Sequence, residues 1–204
     1  SVMGRNSKHI IDKLYNNTWD IDFSKNTFLD IPNLGEILAI RLTYVGELGY
    51  ELHIPENICP DIYHLIHKYG KDYNLKDTGY DVMEILSMEK GYRHWHSDIR
   101  SSDTPLEAGL GFVCKFKKDI DFIGRTKLLE QKNIGITKKL ICLTLNENIP
   151  IHGNELIYRD GIIVGYIRRA CYSFHLNKPL CYGYIQEDEV IKNTDLKKYN
   201  FEIE

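Results

Sequence analysis

Hydrophobic and polar residues alternate along two short segments of the chain, residues 40–44 and 50–54. Their apolar positions are Ile40, Leu42, Tyr44, Tyr50, Leu52 and Ile54. A period of two is typical of a β-strand with one buried face. Gly46 and Gly49 stand between the segments and tolerate the positive φ that a tight turn requires. The pattern predicts a β-hairpin with one apolar and one polar face.

Four further segments are predicted to be helices, most of them from apolar residues at helical spacing. Three of them, residues 4–14, 59–69 and 78–91, are marked by this spacing, and a fourth helix is expected over residues 122–132. Ser7 is a candidate N-cap for the first helix, and Gly70 is a candidate terminator for the second. Residues 16–34 show no firm period and are predicted to be mostly irregular. Helices interleaved with a hairpin predict an α+β layer in which the helices cover the apolar face of the sheet.

The C-terminal part of the chain has a different pattern, made of short β-rich runs. They cover residues 140–145, 155–158, 162–168 and 178–185. Arg159-Asp160-Gly161 is a strong hairpin turn, and residues 188–204 give only a weak strand signal. The pattern changes between residues 133 and 138. We therefore predict one domain over residues 1–136 and a small all-β barrel or sandwich over residues 137–204.

Composition narrows the class of protein. The chain has 204 residues, of which 43% are hydrophobic, and this is enough for a substantial core. Its 26 basic and 29 acidic residues give a formal charge of -3, which disfavours nucleic acid as a partner. No apolar run approaches the roughly 20 residues of a membrane span. Residues 1–6 lack the pattern of a signal peptide, so we expect neither membrane insertion nor secretion.

The cysteines and histidines give no firm sign of a metal site. Five widely spaced cysteines without a Cys-x-x-Cys pair indicate reduced thiols rather than a disulfide or zinc framework. His64-x-x-His67 has no evident third ligand and is interpreted as a surface pair. His94-x-His96 is interpreted as part of a packed loop, with His94 kept as a pocket candidate. We predict no metal, and motifs for dinucleotide or phosphate loops are missing from the sequence.

Glu51 is the residue that agrees least with its surroundings. Acidic residues are depleted in strands, so a carboxylate inside the second predicted strand indicates a side chain placed to accept hydrogen bonds. Two basic clusters, residues 115–118 and Arg168-Arg169, offer positive charge for an anionic ligand. The more common interpretation of such clusters is a solvated strand end.

Several motifs resemble those of the aminomethyltransferase family, which includes the glycine-cleavage T-protein and the folate-binding halves of sarcosine and dimethylglycine dehydrogenases. The hairpin over residues 41–54 resembles the family signature. Gly4-Arg5-Asn6-Ser7-Lys8 resembles the family's Gly-Pro-x-Ser-Arg element, with Arg5 in place of the proline. The resemblance implies a ferredoxin-like folate-binding region followed by a barrel, with tetrahydrofolate as the cofactor and folate as the partner.

The resemblance also implies site residues, because the family's hairpin borders its folate pocket. Glu51 matches the acid that meets the pterin ring, whose edge carries an N–H and an adjacent amino group that one carboxylate can accept in parallel. Tyr44 matches a tyrosine that lies beside the folate. Glu47, at the tip of the turn, is a weaker candidate. The family's catalytic aspartate falls upstream of this chain, and neither Asp98 nor Asp103 matches its position.

Within the family, the sarcosine dehydrogenase branch has the most similar sequence motifs. The similarity covers residues 91–96, 105–110, 164–170 and 182–185. An arginine that the T-protein carries early in the third predicted helix is replaced here by Met83. The resemblance implies a tetrahydrofolate-binding C-terminal fragment of a flavoenzyme, helping to capture a one-carbon unit as 5,10-methylenetetrahydrofolate. FAD would bind only to an N-terminal domain absent from this chain, so the fragment alone is expected to have little activity.

Two alternatives to this interpretation stay open. One is a glycine-cleavage T-protein, whose partner would be a lipoyl carrier protein. The other is a regulatory relative that keeps the fold without the chemistry. The resemblance implies the mitochondrial matrix for a eukaryotic protein and the cytoplasm for a bacterial one.

Overall fold

The structure is a computed structural model that describes residues 1–118 and 120–204. It divides into two units, Ser1–Lys90 and Gly91–Glu204. Residues 91–134 therefore group with the β-rich segment that follows them. The domain boundary drawn from the sequence, between residues 133 and 138, separates the β-rich segment alone and stays a prediction.

The first unit contains a four-stranded antiparallel sheet and three helices. The strands are β1 (Val2–Met3), β2 (Asn26–Ile31), β3 (Gly35–Ile40) and β4 (Gly49–His53), in the order β1-β4-β3-β2. The helices are α1 (Ser7–Tyr15), α2 (Cys59–Gly70) and α3 (Tyr80–Glu89), with short 3-10 turns at residues 56–58 and 71–73. Each helix lies where the apolar spacing predicts it, within a few residues at either end.

The core of this unit lies between one face of the sheet and helices α1 and α2. The strands contribute the buried residues Leu29, Ile31, Ile37, Ala39 and Tyr50. The helices contribute Ile10, Ile11, Leu14 and Ile62. Burying a large apolar side chain contributes about 1.5–3 kcal/mol, so these contacts fix the sheet against the helices. The opposite face of the sheet carries Phe28, Leu38, Ile40, Glu51 and His53, none of which is fully buried.

Two sequence predictions for this unit are wrong in detail. The strand predicted over residues 40–44 ends at Ile40, and residues 41–48 form a loop before β4. Strand β2 lies inside the segment predicted to be irregular. It pairs with β3 along its whole length, and such a tertiary contact can override a weak local pattern.

Contacts from the N-terminal segment hold the loop at residues 41–48. The Gly4 amide donates to the Leu48 carbonyl at 2.8 Å, and the Ser7 hydroxyl donates to the same carbonyl at 3.1 Å. Ser7 was predicted to cap α1, and this is wrong, because Asn6 occupies the N-cap position and the Ser7 hydroxyl is directed to the loop. The motif at residues 4–8 and the hairpin motif at residues 41–54, which both carry the family resemblance, are therefore in contact.

The second unit contains a five-stranded antiparallel sheet. Its strands are β5 (Lys138–Thr144), β6 (Leu156–Arg159), β7 (Ile162–Ser173), β8 (Lys178–Gln186) and β9 (Phe201–Ile203), in the order β5-β8-β7-β6-β9. Its helices are α4 (Arg125–Ile134) and the short α5 (Asn193–Leu196). The predicted hairpin turn is confirmed: Asp160 and Gly161 both have positive φ, of 51° and 78°, as a two-residue hairpin prefers.

The two faces of this sheet have different chemistry. One face packs an aliphatic core of Ile141, Ile157, Val164, Ile167, Cys181 and Ile185. On the other face, Tyr182 and Tyr184 lie against cationic side chains of the unit. Strands β5 and β9 form the two edges of the sheet, so it is open in the part of the chain that the structure describes. The predicted fold class, an α+β region followed by a small all-β domain, is confirmed.

Candidate functional site

The carboxylate of Glu51 is held from both sides by neighbouring side chains. The Tyr44 hydroxyl donates to its Oε2, and Nε2 of His53 lies 2.6 Å from its Oε1. Glu51 and His53 are two residues apart on β4, so their side chains leave the same face of the sheet. Tyr50 leaves the opposite face and is buried in the core. The Glu51 side chain keeps 24% of its surface exposed. The sheet therefore presents an oriented, partly exposed carboxylate on the face opposite the core.

Hydrogen bonding fixes the charge of this group. The bond from Tyr44 holds the pKa of the Glu51 carboxyl below its ordinary value, with a further contribution from His53. The same bond raises the pKa of the Tyr44 phenol. At neutral pH the carboxyl is therefore an anion and the phenol a donor. An ionised carboxylate has about four lone-pair positions, so one on each oxygen is still available to a ligand.

An apolar surface lies beside this carboxylate. Strand pairing places Ile40 opposite Glu51, and Leu38 opposite His53. Phe28, on the edge strand β2, is paired opposite Leu38 and is 60% exposed. Cross-strand neighbours on one face lie within about 5.5 Å, so these side chains form a continuous row with the acid at its end. Such a surface suits a flat heteroaromatic ring with two parallel N–H donors on one edge.

Two glycines shape the loop that carries Tyr44. Gly46 has a φ of 72°, as the sequence predicts for a turn glycine. Gly49 has a different role from the predicted one, because its φ is not positive. A Cβ at position 49 would lie 2.8 Å from the Leu42 carbonyl oxygen and 3.0 Å from Met3 Cγ. Gly49 therefore permits the close approach of the loop and β1 to β4.

The other two sequence candidates make contacts of their own. Glu47 is exposed on the loop, where its carboxylate faces the backbone of Gly4. His94 belongs to the second unit, and its Nδ1 lies 3.2 Å from the Ser97 hydroxyl. Within the first unit, the structure thus brings Tyr44 and Glu51 together, and it adds His53, which the sequence analysis did not assign. The signal for His53 was its position two residues from Glu51 on one strand.

The second unit contains buried ion pairs that the sequence analysis missed. Asp98 is fully buried and accepts from Arg169 through both guanidinium nitrogens Nε and Nη2, and from the His94 amide. Asp103 accepts from Lys138 Nζ at 2.6 Å, with Arg168 Nη2 at 3.5 Å. The interpretation of Arg168-Arg169 as a solvated strand end is therefore wrong, since both arginines neutralise buried carboxylates.

The two buried acids respond differently to their surroundings. Burial raises the pKa of Asp98 above its ordinary value despite the Arg169 guanidinium. Burial acts in the same direction on Asp103, but the bond from Lys138 is among the contacts that bring its pKa below the ordinary value. Both acids hold the segment after residue 90 against the barrel strands. Both carboxylates accept hydrogen bonds from cationic side chains within the protein, which makes them structural rather than ligand-binding groups.

No group of three or more histidine, cysteine, aspartate or glutamate side chains among the described residues is arranged to hold a metal ion. His67 instead bonds Asp77 at 3.1 Å, and Tyr63 donates to the other oxygen of the same carboxylate. Among the same residues, no helix has both the length and the apolar character needed to cross a bilayer.

Comparison with family models identifies the family over most of the chain. A model described as the GCVT N-terminal domain matches residues 1–118, and a model described as the glycine cleavage T-protein C-terminal barrel domain matches residues 138–203. The chain belongs to the glycine-cleavage T-protein family. This confirms the resemblance drawn from the sequence motifs.

Similar proteins within this family differ in length. Mitochondrial sarcosine dehydrogenase of Mus musculus is 48% identical over 151 residues, which cover 74% of this chain and 16% of the relative. Aminomethyltransferase of Halothermothrix orenii is 33% identical, with 93% of this chain and 53% of the relative covered. The chain therefore spans only part of the length of these relatives. The crystal structure of glycine cleavage system aminomethyltransferase T from Bartonella henselae shares the fold, with a TM-score of 0.73 over 90% of this chain and 50% of that one at 19% identity.

Proposed function

We propose that this chain is the tetrahydrofolate-binding part of a sarcosine dehydrogenase-like enzyme. The observation that carries the proposal is the Glu51 carboxylate, which is ionised, oriented by Tyr44 and His53, and placed beside apolar side chains on the sheet face opposite the core. The 48% identity to mouse sarcosine dehydrogenase supports this branch of the family. In the whole enzyme, the part would help to capture a one-carbon unit as 5,10-methylenetetrahydrofolate.

Each element of the site has a separate task in this proposal. Glu51 accepts the N–H and the amino group on the pterin edge, as a charge-assisted pair that fixes the orientation of the ring. Leu38, Ile40 and Phe28 offer the face of the ring an apolar surface. Tyr44 keeps the carboxylate in place through its hydroxyl. Bound tetrahydrofolate would supply the amine that accepts the one-carbon unit, and the protein's share is orientation.

Calorimetric titration with tetrahydrofolate under anaerobic conditions tests this function. We expect Glu51→Ala to weaken binding by about 1.5–3 kcal/mol, the range for a hydrogen bond to a charged group, or roughly 10- to 150-fold in Kd. Glu36→Ala is the matched control, because Glu36 is an exposed acid on the neighbouring strand β3 and should change the affinity little. Equal affinity in wild type and Glu51→Ala would contradict the proposed site.

A glycine-cleavage aminomethyltransferase is the second candidate function. The relative from Halothermothrix orenii covers 93% of this chain, more than the sarcosine dehydrogenase match does. The two functions differ in partner, because a sarcosine dehydrogenase needs a flavin domain and a T-protein needs an aminomethyl-lipoyl carrier. Sarcosine-dependent reduction of an electron acceptor by the whole enzyme, including its flavin domain, would favour the first function. Transfer from the lipoyl carrier in the absence of flavin favours the second.

The partner and location follow from the same proposal. The N-terminal flavin domain of the same polypeptide would be the partner, with FAD held there and outside this chain. The mouse relative is a mitochondrial enzyme, so we place a eukaryotic protein of this kind in the mitochondrial matrix and a bacterial one in the cytoplasm. If tetrahydrofolate binds neither the protein nor its Glu51 variant, a regulatory relative without folate chemistry is the better description.

A further inference from the structure

Both oxygens of the Glu51 carboxylate are in contact with neighbouring side chains. The Tyr44 hydroxyl donates to Oε2, and His53 Nε2 lies 2.6 Å from Oε1. The bond from Tyr44 lowers the pKa of the carboxyl and raises the pKa of the phenol, so the proton stays on Tyr44. Glu51 therefore has no proton to donate, and each of its oxygens can only accept a hydrogen bond.

A ligand that faces this carboxylate edge-on must offer it two adjacent donors. A 2-amino-4-oxopteridine, the ring system of folates, carries an N–H beside its amino group and so offers two parallel donors. A neutral 2,4-diaminopteridine has nearly the same shape, but the corresponding ring nitrogen carries a lone pair instead of a hydrogen. That lone pair would face an oxygen lone pair of Glu51 with no hydrogen bond between them. The two classes of ring thus differ at the edge that Glu51 would contact.

We propose that the Tyr44 and Glu51 pair determines ring specificity, binding 2-amino-4-oxopteridines and rejecting their neutral 2,4-diamino counterparts. The inference rests on the proposed function and adds to it the class of ring that the site excludes. Glu51 is the residue that contacts the ligand. Tyr44 is a positioning residue, because its hydroxyl orients the carboxylate and keeps it an acceptor.

The apolar side chains of the site do not distinguish the two classes of ring. Ile40 is paired opposite Glu51, and the exposed Phe28 is paired opposite Leu38. Contact between such side chains and the face of a ring is non-directional and depends on the apolar area buried, which is almost the same for both rings. Discrimination therefore depends on the carboxylate. A site that bonds a specific N–H rejects an analogue without it far more strongly than an apolar surface can.

A matched pair of ligands tests this inference. Tetrahydrofolate and tetrahydroaminopterin differ only in the 4-oxo or 4-amino form of the ring, so the ratio of their Kd values isolates this edge. Anaerobic calorimetry above the pKa of the diamino ring should show the wild type binding tetrahydrofolate about 10- to 150-fold more tightly. Glu51→Gln presents one acceptor and one donor, which match the amino group and the bare nitrogen of the diamino ring. It should reduce the ratio by about tenfold or more.

The Tyr44 hydroxyl is tested by the same ratio. Tyr44→Phe leaves the carboxylate charged but removes the bond that orients it, so the ratio should fall by about two- to fivefold. Tyr63→Phe is the matched control, because the Tyr63 hydroxyl donates to a different carboxylate of the first unit, that of Asp77. It should leave the ratio unchanged. A substitution that only loosened the fold would weaken both ligands alike, whereas a role in specificity changes their ratio.

The outcomes separate this inference from the proposed function. Equal or tighter binding of tetrahydroaminopterin by the wild type, or an unchanged ratio in Glu51→Gln, would overturn the specificity while leaving tetrahydrofolate binding in place. An unchanged ratio in Tyr44→Phe would overturn the positioning role of Tyr44. A wild type that binds neither ligand would instead overturn the proposed function.

Discussion

At the scale of single residues, the protein keeps its two most buried acids neutralised by specific partners. Asp98 is fully buried and is bonded by Arg169 and by the His94 amide. Removing one member of a buried ion pair leaves an uncompensated charge, which costs more than the pair itself contributes. The sequence showed both acids and both arginines but not their pairing, because the partners are about seventy positions apart along the chain.

Truncation of Asp98 should therefore destabilise the second unit. We expect Asp98→Ala to lower the free energy of unfolding by about 3–5 kcal/mol, measured by urea denaturation. Asp188→Ala removes an exposed acid of the same unit and should change the stability by about 0.5 kcal/mol or less. Similar stability in the two variants would show that the Asp98 and Arg169 pair does not hold this unit together.

Asp103 is expected to make the stability of the second unit depend on pH. Its folded-state pKa lies below the ordinary 3.8, because contacts that include Lys138 outweigh the effect of burial. The stabilisation is present above pH 3.8 and is lost as the pH falls through the lower folded value. Urea denaturation below about pH 4 should show this loss in the wild type and a shallower loss in Asp103→Asn. Parallel profiles would contradict it.

At the scale of elements, the proposed site is formed by the loop at residues 41–48 and by strands β2, β3 and β4. Helices α1, α2 and α3 were predictable because each has a clear apolar period, and strands β5 to β8 because each is a β-rich run. Strand β2 and the end of β3 were not, because strand pairing and the contacts of Gly4 and Ser7 with Leu48 decide them. Local pattern does not contain these long-range contacts.

Substitution of Gly49 tests the packing of this element. The Cβ of an alanine would collide with the Leu42 carbonyl oxygen at 2.8 Å, so we expect Gly49→Ala to cost about 1–3 kcal/mol of stability, as overpacking usually does. Gly79→Ala is the matched control, since a Cβ there has no neighbour within 4 Å. Thermal unfolding compares the two. Equal melting temperatures would mean that the loop does not require its close approach to β4.

At the scale of the whole molecule, the family resemblance placed Glu51 and Tyr44 in one site, and the structure brings the two side chains into direct contact. His53 could have been predicted as a member, because residues two positions apart on a strand leave the same face and the sequence predicts a strand over both. His94 and Glu47 stay predictions. The chain spans 16% of mouse sarcosine dehydrogenase, so the activity of the whole enzyme belongs to the proposal and not to this chain alone.

The most direct measurement is a crystal structure of the protein with bound tetrahydrofolate. The account predicts that the pterin N–H and amino nitrogens lie about 2.7–2.9 Å from the two carboxylate oxygens of Glu51, the range of charge-assisted hydrogen bonds, with the ring over Ile40 and Leu38. A folate bound with its pterin edge away from Glu51 would contradict it.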